Sequence, residues 1–197
     1  MTGQDKLFQL ESSGAQEPEL FEVPGSELPV KVFRNALDNE DIELLLGLAY
    51  AMIDEASASR ALNDRGFYRS TIMPASAEDL SPNVLDIIGN KNYTARVNVQ
   101  GPGKAQGWHR DYRPEAAVLY PEGEGAIDIN HIADSLSEVR RGVGSNEVLS
   151  IPVHPGDLAI ISCGQEVFHR GRNTGQSVRR TVVLHDVPEG QYPVTGF

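Results

Sequence analysis

The residues with the clearest potential for chemistry are two histidines and an aspartate in the second half of the chain. His109 and Asp111 are separated by one residue, and His169 follows much later. On a β-strand, residues i and i+2 project from the same side, so His109 and Asp111 can reach one ion while Arg110 points away. His169 must come from a different strand. The pattern predicts two imidazoles and one carboxylate on a single metal.

The chemistry of this ligand set narrows the choice of metal. Imidazole binds Fe(II), Zn and Ni, whereas carboxylate is a harder ligand, and the mixture suits Fe(II) in sites that leave positions open for O2. A His-x-Asp pair alone is also the pattern of a surface histidine beside a solvated aspartate, which is the favoured interpretation of the pair by itself. The interpretation as a metal site therefore depends on the elements around the pair.

Length, charge and hydropathy limit the classes of partner. The chain has 197 residues, which is one domain or one domain with a tail. A net charge of −11 argues against nucleic acid or an anionic membrane surface as a partner. We find neither an apolar run long enough to span a bilayer nor a signal-peptide pattern at the start, so we expect a cytoplasmic protein with no membrane contact.

The chain divides into two parts by composition. Residues 1–28 are rich in Gln, Glu, Ser, Gly and Pro with few apolar residues, which predicts an N-terminal arm that is loose or packs late. Residues 29–197 contain the periodic apolar patterns. They are predicted to form a single jelly-roll domain.

Helices are predicted early in this domain. Asp38 has the character of a helix N-cap, and apolar residues at helical spacing continue to about residue 57. Residues 63–66 are predicted as a loop and residues 67–73 as extended. Ser81, followed by a proline, opens a second short helix.

From residue 93 onward the pattern changes to short strands separated by turns. About eight strands preceded by helices predict a mainly β fold, a double-stranded β-helix (jelly roll) with helices packed on one outer face and a cavity between two sheets. The predicted strands are residues 93–100, 108–112, 116–120, 126–129, 148–153, 157–162, 166–170 and 178–186.

The block from residue 93 to residue 186 resembles the 2-oxoglutarate- and Fe(II)-dependent dioxygenases. The preceding part, from Val30 through the helix at Asp38, is similar to the helical preface of prolyl-hydroxylase-like and phytanoyl-hydroxylase-like members. The resemblance rests on the order and spacing of four pieces. These are a strand and Gly/Pro turn before His109-x-Asp111, a Gly-rich turn at 123–125, Pro155-Gly156-Asp157 before an apolar strand, and His169 before Asn173 and Arg179-x-Thr181.

The resemblance implies roles for individual residues. It makes His109, Asp111 and His169 the iron ligands and Arg179 the cation that holds the far carboxylate of 2-oxoglutarate, since a guanidinium matches a carboxylate bidentately. Thr181 would supply a hydroxyl to the same carboxylate. Strand alternation allows only one of Arg179 and Arg180 to point inward, and the register shared with Thr181 favours Arg179.

Further positions are candidates for the wall and mouth of the cavity. One face of the strand at 93–100 carries Arg96, Asn98 and Gln100, while the opposite register would place Ala95, Val97 and Val99 inside; the pattern leaves both open. Cosubstrate contacts are predicted for Asn98 and Tyr93, and substrate contacts for Arg96, Gln100, Trp108, Tyr112 and Arg110. Each of the aromatic residues also fits a packing role, and Arg110 a solvated face.

The implied activity is hydroxylation of an unactivated C–H bond, with Fe(II) as cofactor, 2-oxoglutarate and O2 as cosubstrates, and succinate and CO2 released. Halogenating relatives generally have a small residue where this chain has Asp111. The expected substrate is a small molecule, such as an amino acid or natural-product intermediate, and residues 131–146 are either a lid or a plain surface connection. Two alternatives remain: a cupin-type metalloenzyme that uses no keto acid, and a non-catalytic jelly-roll binding module. The oligomeric state is not indicated.

Overall fold

A computed structural model describes residues 17–76, 80–89, 92–113, 115–162 and 164–186. Over these ranges the helices are α1 (Asn39–Met52), α2 (Glu55–Arg65), α3 (Pro82–Ile88) and α4 (Leu136–Arg140). The strands are β1 (Glu19–Phe21), β2 (Val30–Phe33), β3 (Phe67–Arg69), β4 (Met73–Ser76), β5 (Asn92–Gln100), β6 (Ala116–Glu122), β7 (Gly125–Asn130), β8 (Leu149–Val153), β9 (Leu158–Ile161), β10 (Phe168–Asn173) and β11 (Arg179–Asp186).

The strands form two antiparallel sheets. The larger sheet has the order β1-β2-β9-β6-β11-β5-β3, with β4 also paired to β5, and the smaller has the order β10-β7-β8. Isolated bridges from Ala105 to Arg172 and from His109 to His169 attach the segment before β6 to the edge of the smaller sheet. From β5 onward the chain therefore alternates between two sheets that enclose a common interior. The protein is mainly β and has the predicted jelly-roll architecture.

Two apolar cores lie on opposite faces of the larger sheet. On the outer face, Leu45 and Ala49 of α1 pack in one buried cluster with Val97 of β5 and Val182 of β11. Between the sheets, a second cluster is formed by residues of β2, β6, β7, β8 and β9, with Tyr120 among its largest fully buried side chains. Helices α1, α2 and α3 thus cover one outer face, as predicted. The central strands are consequently buried on both sides.

The helical region differs from its sequence prediction in one respect that shapes the site. The predicted helix to residue 57 is two helices, because Ile53 is extended and Asp54 accepts a hydrogen bond from the Ser57 amide to begin α2. Helix α2 then continues through the predicted loop and ends at Gly66, whose φ is 70°. This left-handed residue turns the chain directly into β3.

Part of the predicted N-terminal arm lies on the sheet. Residues 1–16 lie outside the described residues, but Glu19–Phe21 form β1 and pair with β2. The division between arm and domain at residue 28 stays a prediction.

Asp41 connects α1 to α3. Its carboxylate completes a capping box by accepting a hydrogen bond from the Asp38 amide at 3.2 Å, and it also accepts one from the Ser81 amide at 2.7 Å. Asp41 is 2% exposed. The side chain therefore satisfies backbone groups at the start of both helices that cover the outer core.

We predict that Asp41→Ala lowers the free energy of unfolding by about 1–3 kcal/mol, since two partly buried hydrogen bonds, from the Asp38 and Ser81 amides, lose their acceptor. Urea unfolding followed by circular dichroism measures this. Glu43→Ala, an exposed change on the same helix, is the control and should stay within about 0.5 kcal/mol of wild type. Equal stability of the two variants would contradict the assignment.

Candidate metal centre

The two predicted histidine ligands lie directly opposite each other across a backbone bridge. The His109 amide donates to the His169 carbonyl at 3.1 Å, and the His169 amide donates back to the His109 carbonyl at 2.9 Å. The ring centroids are 4.5 Å apart at an interplanar angle of 48°. Directly paired residues on one face hold their side chains side by side. The bridge thus places both imidazoles on the inner side of the smaller sheet.

Asp111 reaches the same point from an irregular segment. The predicted strand at 108–112 is wrong beyond the single bridge at His109, and the Asp111 amide instead donates to the Gly164 carbonyl at 2.7 Å. A Cβ at Gly164 would overlap Asp111 Oδ2 and lie 3.0 Å from Cγ. The loop before β10 therefore needs a glycine where it approaches this carboxylate.

The three side chains offer one ligand atom each within a small volume. Asp111 Oδ2 lies 3.2 Å from His169 Nε2, and Asp111 Oδ1 lies 3.8 Å from His109 Nε2. The three ligand atoms all lie within 4.8 Å of one another. Such a group can hold one metal ion. The structure thus brings the predicted metal ligands together.

Hydrogen bonding and electrostatics favour the ligand forms of His109 and Asp111. His109 Nδ1 lies 2.9 Å from the Gly107 carbonyl, so this nitrogen carries the proton and Nε2 presents its lone pair. Burial and the neighbouring His169 lower the pKa of His109 to about 4, which keeps it neutral near pH 7. Burial opposes ionisation of Asp111, but the hydrogen bond from His169 and the nearby imidazoles outweigh it and lower the pKa of Asp111.

Arg179 is a buried cation in the same interior. It is 2% exposed, it donates to Gln100 Oε1, and its guanidinium lies 5.0 Å from the centre of the Tyr120 ring. Its Nε has no hydrogen-bond partner, and across the described residues no carboxylate lies within ion-pair distance of it. Burial lowers the pKa of Arg179. Burial of a guanidinium without a counter-charge costs free energy, and a bound anion would reduce this cost.

Three glycines make room for Arg179, two of them beside its guanidinium and Gly123 beside its backbone. A Cβ at Gly125 would lie 2.5 Å from Arg179 Nε, and one at Gly123 would lie 2.7 Å from Arg179 Cα. A Cβ at Gly171 would lie 3.2 Å from Arg179 Nη1. The smaller sheet and the turn before it therefore leave out side chains where Arg179 enters.

Strand alternation in β11 separates the two adjacent arginines as predicted. Arg180 points to the outer face, where it forms an ion pair with Glu122 and lies over the Tyr50 ring of α1 at 4.8 Å. Arg179 therefore takes the inward register, which Thr181, 3% exposed, shares.

The inner face of β5 is polar. Gln100 lies opposite Arg179 in the register of β5 and β11, and Asn98 lies opposite Thr181. Gln100 Nε2 donates to the Gly171 carbonyl at 2.7 Å, while Asn98 Oδ1 is buried without a partner. Arg96 is on the same face. The alternative register, with the apolar residues of β5 inward, is not adopted because that face packs under the helices.

Tyr93 does not reach this site. It is on the helix-covered face of β5, where its hydroxyl donates to the Ile88 and Gly89 carbonyls at the end of α3, and burial raises its pKa to about 12. The predicted cosubstrate contact of Tyr93 is therefore wrong. The physical reason is strand alternation, which places Tyr93 on the face of β5 opposite to that of Asn98 and Gln100.

The residues that flank the histidine bridge point in different directions. Tyr112 is 90% exposed, so its predicted substrate contact is not supported by its position. Arg110 lies over the Phe168 ring at 4.5 Å, and Arg170 lies over the Trp108 ring at 4.3 Å. These cation–π contacts give Arg110 a packing role outside the histidine pair. Trp108 precedes His109 in the chain and lines a cleft beside it.

An open cleft of about 490 Å³ adjoins His109. Its walls come from α2, β3 and the segment that leads to His109, and we assigned none of the α2 and β3 residues to the site from sequence. The sequence predicts residues 67–73 as extended, but nothing local indicates that β3 pairs with β5. The lining residues are Ser57, Ala61, Arg65, Phe67, Tyr68, Arg69, Gln106, Gly107, Trp108 and His109.

The segment predicted as a lid or surface connection contains α4. Ala133 and Val139 pack with Phe168 in a small apolar cluster, against which Trp108 and Val143 also lie. The lining of the cleft includes none of residues 131–146.

The similarity of this chain to known proteins is limited. No protein-family model and no curated protein matches it. Solved structures that it resembles include an oxalate oxidase in complex with the substrate analogue glycolate, with 18% identity, a TM-score of 0.38, and coverage of 61% of this chain and 50% of that chain. Another is Peruvianin-I, described as a cysteine peptidase from Thevetia peruviana latex, with 19% identity, a TM-score of 0.38, and coverage of 61% of this chain and 62% of that chain.

The oxalate decarboxylase of Bacillus subtilis is a further similar structure, with 12% identity, a TM-score of 0.38, and coverage of 61% of this chain and 26% of that chain. The chain spans less than two thirds of each of these three proteins. Over the described residues, no helix is both long enough and apolar enough to cross a membrane.

We predict that His109→Ala weakens binding of Co(II) or Fe(II) by at least about a hundredfold, since loss of an outer partner of a ligand already costs 10–100-fold. Anaerobic isothermal titration calorimetry measures the affinity. His154→Ala, which removes an exposed histidine, should leave it unchanged. Equal affinities of the two variants would remove His109 from the metal centre.

We predict that Gly164→Ala weakens metal binding by about 10–100-fold, because the new methyl group displaces the Asp111 carboxylate. The same titration measures it, and circular dichroism checks the fold. Gly47→Ala, where nothing lies within 4 Å of the added carbon, is the matched control. Wild-type affinity in the Gly164 variant would show that the position of Asp111 does not govern binding.

Proposed function

We propose that the chain is an Fe(II)- and 2-oxoglutarate-dependent oxygenase that hydroxylates an unactivated C–H bond of a small molecule, releasing succinate and CO2. The observation that carries the proposal is Arg179, a buried guanidinium without a carboxylate partner among the described residues, inside the same barrel as the His109, Asp111 and His169 triad.

The triad fits a divalent iron in its ligand types. Two imidazole nitrogens and one carboxylate suit Fe(II), and with three protein donors on one side the other positions are free for cosubstrates. The Gly107 carbonyl accepts a hydrogen bond from His109 Nδ1, so Nε2 is the nitrogen that would bind the metal. Asp111 would supply the anionic ligand, and its presence favours hydroxylation over halogenation.

The separation between the triad and Arg179 suits a short keto diacid. On β10, His169 and Gly171 face the same interior, and Gly171 is the residue that approaches Arg179 Nη1. Residues i and i+2 of a strand are about 7 Å apart. A five-carbon diacid with its keto acid end at the metal could therefore place its far carboxylate at the guanidinium.

Other polar groups support the same orientation. Thr181 is buried on the inner face of β11 beside Arg179, and Asn98 lies opposite it with an unpartnered amide oxygen. The Thr181 hydroxyl can donate to a carboxylate oxygen, while the Arg179 guanidinium offers two parallel donors. Together these residues would bind the cosubstrate in a single orientation, with its far carboxylate at Arg179 and Thr181.

Within this proposal the chain positions reactants and excludes water. When bound, iron would supply the redox chemistry that couples decarboxylation of the keto acid to oxidation of the substrate. The Arg179 guanidinium would hold one end of the cosubstrate, and the histidine bridge would fix the two imidazoles. The apolar cluster around Tyr120 and Ile129 fills the interior between the sheets and would limit the access of water from that side.

The second candidate is a cupin-type metalloenzyme that uses no keto acid. It is favoured by His185, which shares the inner face of β11 and is close enough for the Asp111 charge to raise its pKa against the larger lowering by burial. His185 is a candidate for an additional ligand, although it does not belong to the convergent group. In this candidate Arg179 would bind no cosubstrate, so keto acid binding separates the two.

The test is an anaerobic titration of the purified protein with Fe(II) and then 2-oxoglutarate, watching for the visible charge-transfer band of the chelate. We expect a saturable band that requires both additions. Succinate release in a substrate screen follows. Iron binding without any band would favour the cupin-type alternative.

We predict that Arg179→Gln weakens 2-oxoglutarate binding by about 30-fold or more, because a desolvated charge pair is lost. The same band titration measures it. Arg180→Gln is the matched control, since Arg180 lies on the outer face and pairs with Glu122. Similar effects of the two substitutions would contradict the role of Arg179.

A further inference from the structure

We infer that the cleft beside His109 binds the substrate through an anionic group, with Arg69 as its main contact and Arg96 as a second cation. The inference rests on the proposed function, since it takes the metal centre as the place where the substrate reacts. The substrate would be a small organic anion with an apolar body.

The cleft is suited in size and position to a small molecule. Its volume of about 490 Å³ lies within the usual range of about 300–1,000 Å³ for ligand sites. His109 and Gln106 form one wall, and the Gln106 amide nitrogen lies 3.4 Å from His109 Nε2. A molecule in the cleft therefore contacts the metal centre directly.

The cationic wall comes from the pairing of β3 with β5. Arg69 lies opposite Asn98 in this register, so its side chain shares the inner face with Arg96, which is two residues before Asn98 on β5. Diagonal neighbours of this kind are about 7–8 Å apart, within reach of long side chains. Arg69, which is an exposed residue, thus lines the cleft, and Arg96 is its like-charged neighbour on β5.

These two cations have no local counter-charge of their own. No ion pair within the described ranges includes either residue, and Arg96 Nε is buried without a hydrogen-bond partner. Burial lowers the pKa of Arg69, and the charge of Arg96 lowers it further. Asp111 is the acidic group that acts on both, but it is already held by the two imidazoles.

The charges therefore favour an incoming anion. One carboxylate faces two guanidinium groups, and a bound divalent metal would add further positive charge. An anionic oxygen group placed between Arg69 and Arg96 would relieve this repulsion and accept paired hydrogen bonds. The Phe67 and Trp108 rings and Ala61 would contact the rest of the molecule. Arg65 lies at the exposed rim.

The test uses N-acetyl amino acids and their carboxamides as probes, because each pair differs only in charge and the blocked amine prevents chelation of a metal. Binding to the full-length protein is measured by calorimetry in EDTA, so that the readout depends on neither metal nor turnover. A parallel series with phenyl phosphate distinguishes carboxylate from phosphate recognition. We expect at least one acid to bind about tenfold more tightly than its carboxamide.

Variants separate the cleft from the cosubstrate site. Arg69→Gln should weaken acid binding about tenfold or more, Arg69→Lys should restore part of it, and Arg60→Gln, an exposed change on α2, should have no effect. Circular dichroism checks that each variant is folded. Arg179→Gln should leave acid binding unchanged while it weakens 2-oxoglutarate binding.

The inference is overturned if no acid binds at millimolar concentration, if acids and carboxamides bind equally, or if Arg69→Gln binds as tightly as wild type. Competition between the acids and saturating 2-oxoglutarate would also overturn it, since both would then occupy one site. Failure of the proposed oxygenase activity would show separately, as absence of the charge-transfer band with intact acid binding.

Discussion

Burial of the central strands on both faces is the constraint on which this structure depends. Strands β5, β6 and β11 pack under helices on one side and enclose the barrel interior on the other. Residues that alternate along β11 therefore enter two different buried environments, and Arg179 and Thr181 enter the one that contains the triad. Polar groups in such a place need partners. Gln100 bonds to the Gly171 carbonyl and accepts a hydrogen bond from Arg179, whereas the Nε of Arg179 has no hydrogen-bond partner.

The metal centre is built by backbone geometry more than by side-chain packing. Reciprocal amide–carbonyl hydrogen bonds fix His109 against His169, and a third backbone hydrogen bond, from Asp111 to Gly164, brings the carboxylate to them. Because these bonds join segments already tied to the barrel, the ligand atoms are held near one another before a metal binds. Preorganisation of this kind reduces the entropy lost on binding.

Two cationic regions border the centre, and they differ in access to solvent. Arg179 is enclosed by glycines and the Tyr120 ring, and under the proposed function this enclosure would suit a cosubstrate of fixed size. Arg69 lines an open cleft, which suits a group that varies with the substrate. The protein carries a net charge of −11, so these cations are local features in an acidic chain. Their placement, rather than overall charge, would select an anion.

The sequence by itself determined the features that depend on neighbours along the chain: the strand alternation that turns Arg179 inward, the cap at Asp38, and the three candidate ligands with their residue types. Only the tertiary structure decided that Tyr93 packs under α3, that Asp111 leaves the strand to meet Gly164, and that α2 and β3 form a cleft at His109. The reason is physical. Periodicity and capping act over a few residues, whereas the pairing of β3 with β5 and the approach of the Gly164 loop join distant segments, whose contacts leave no local pattern.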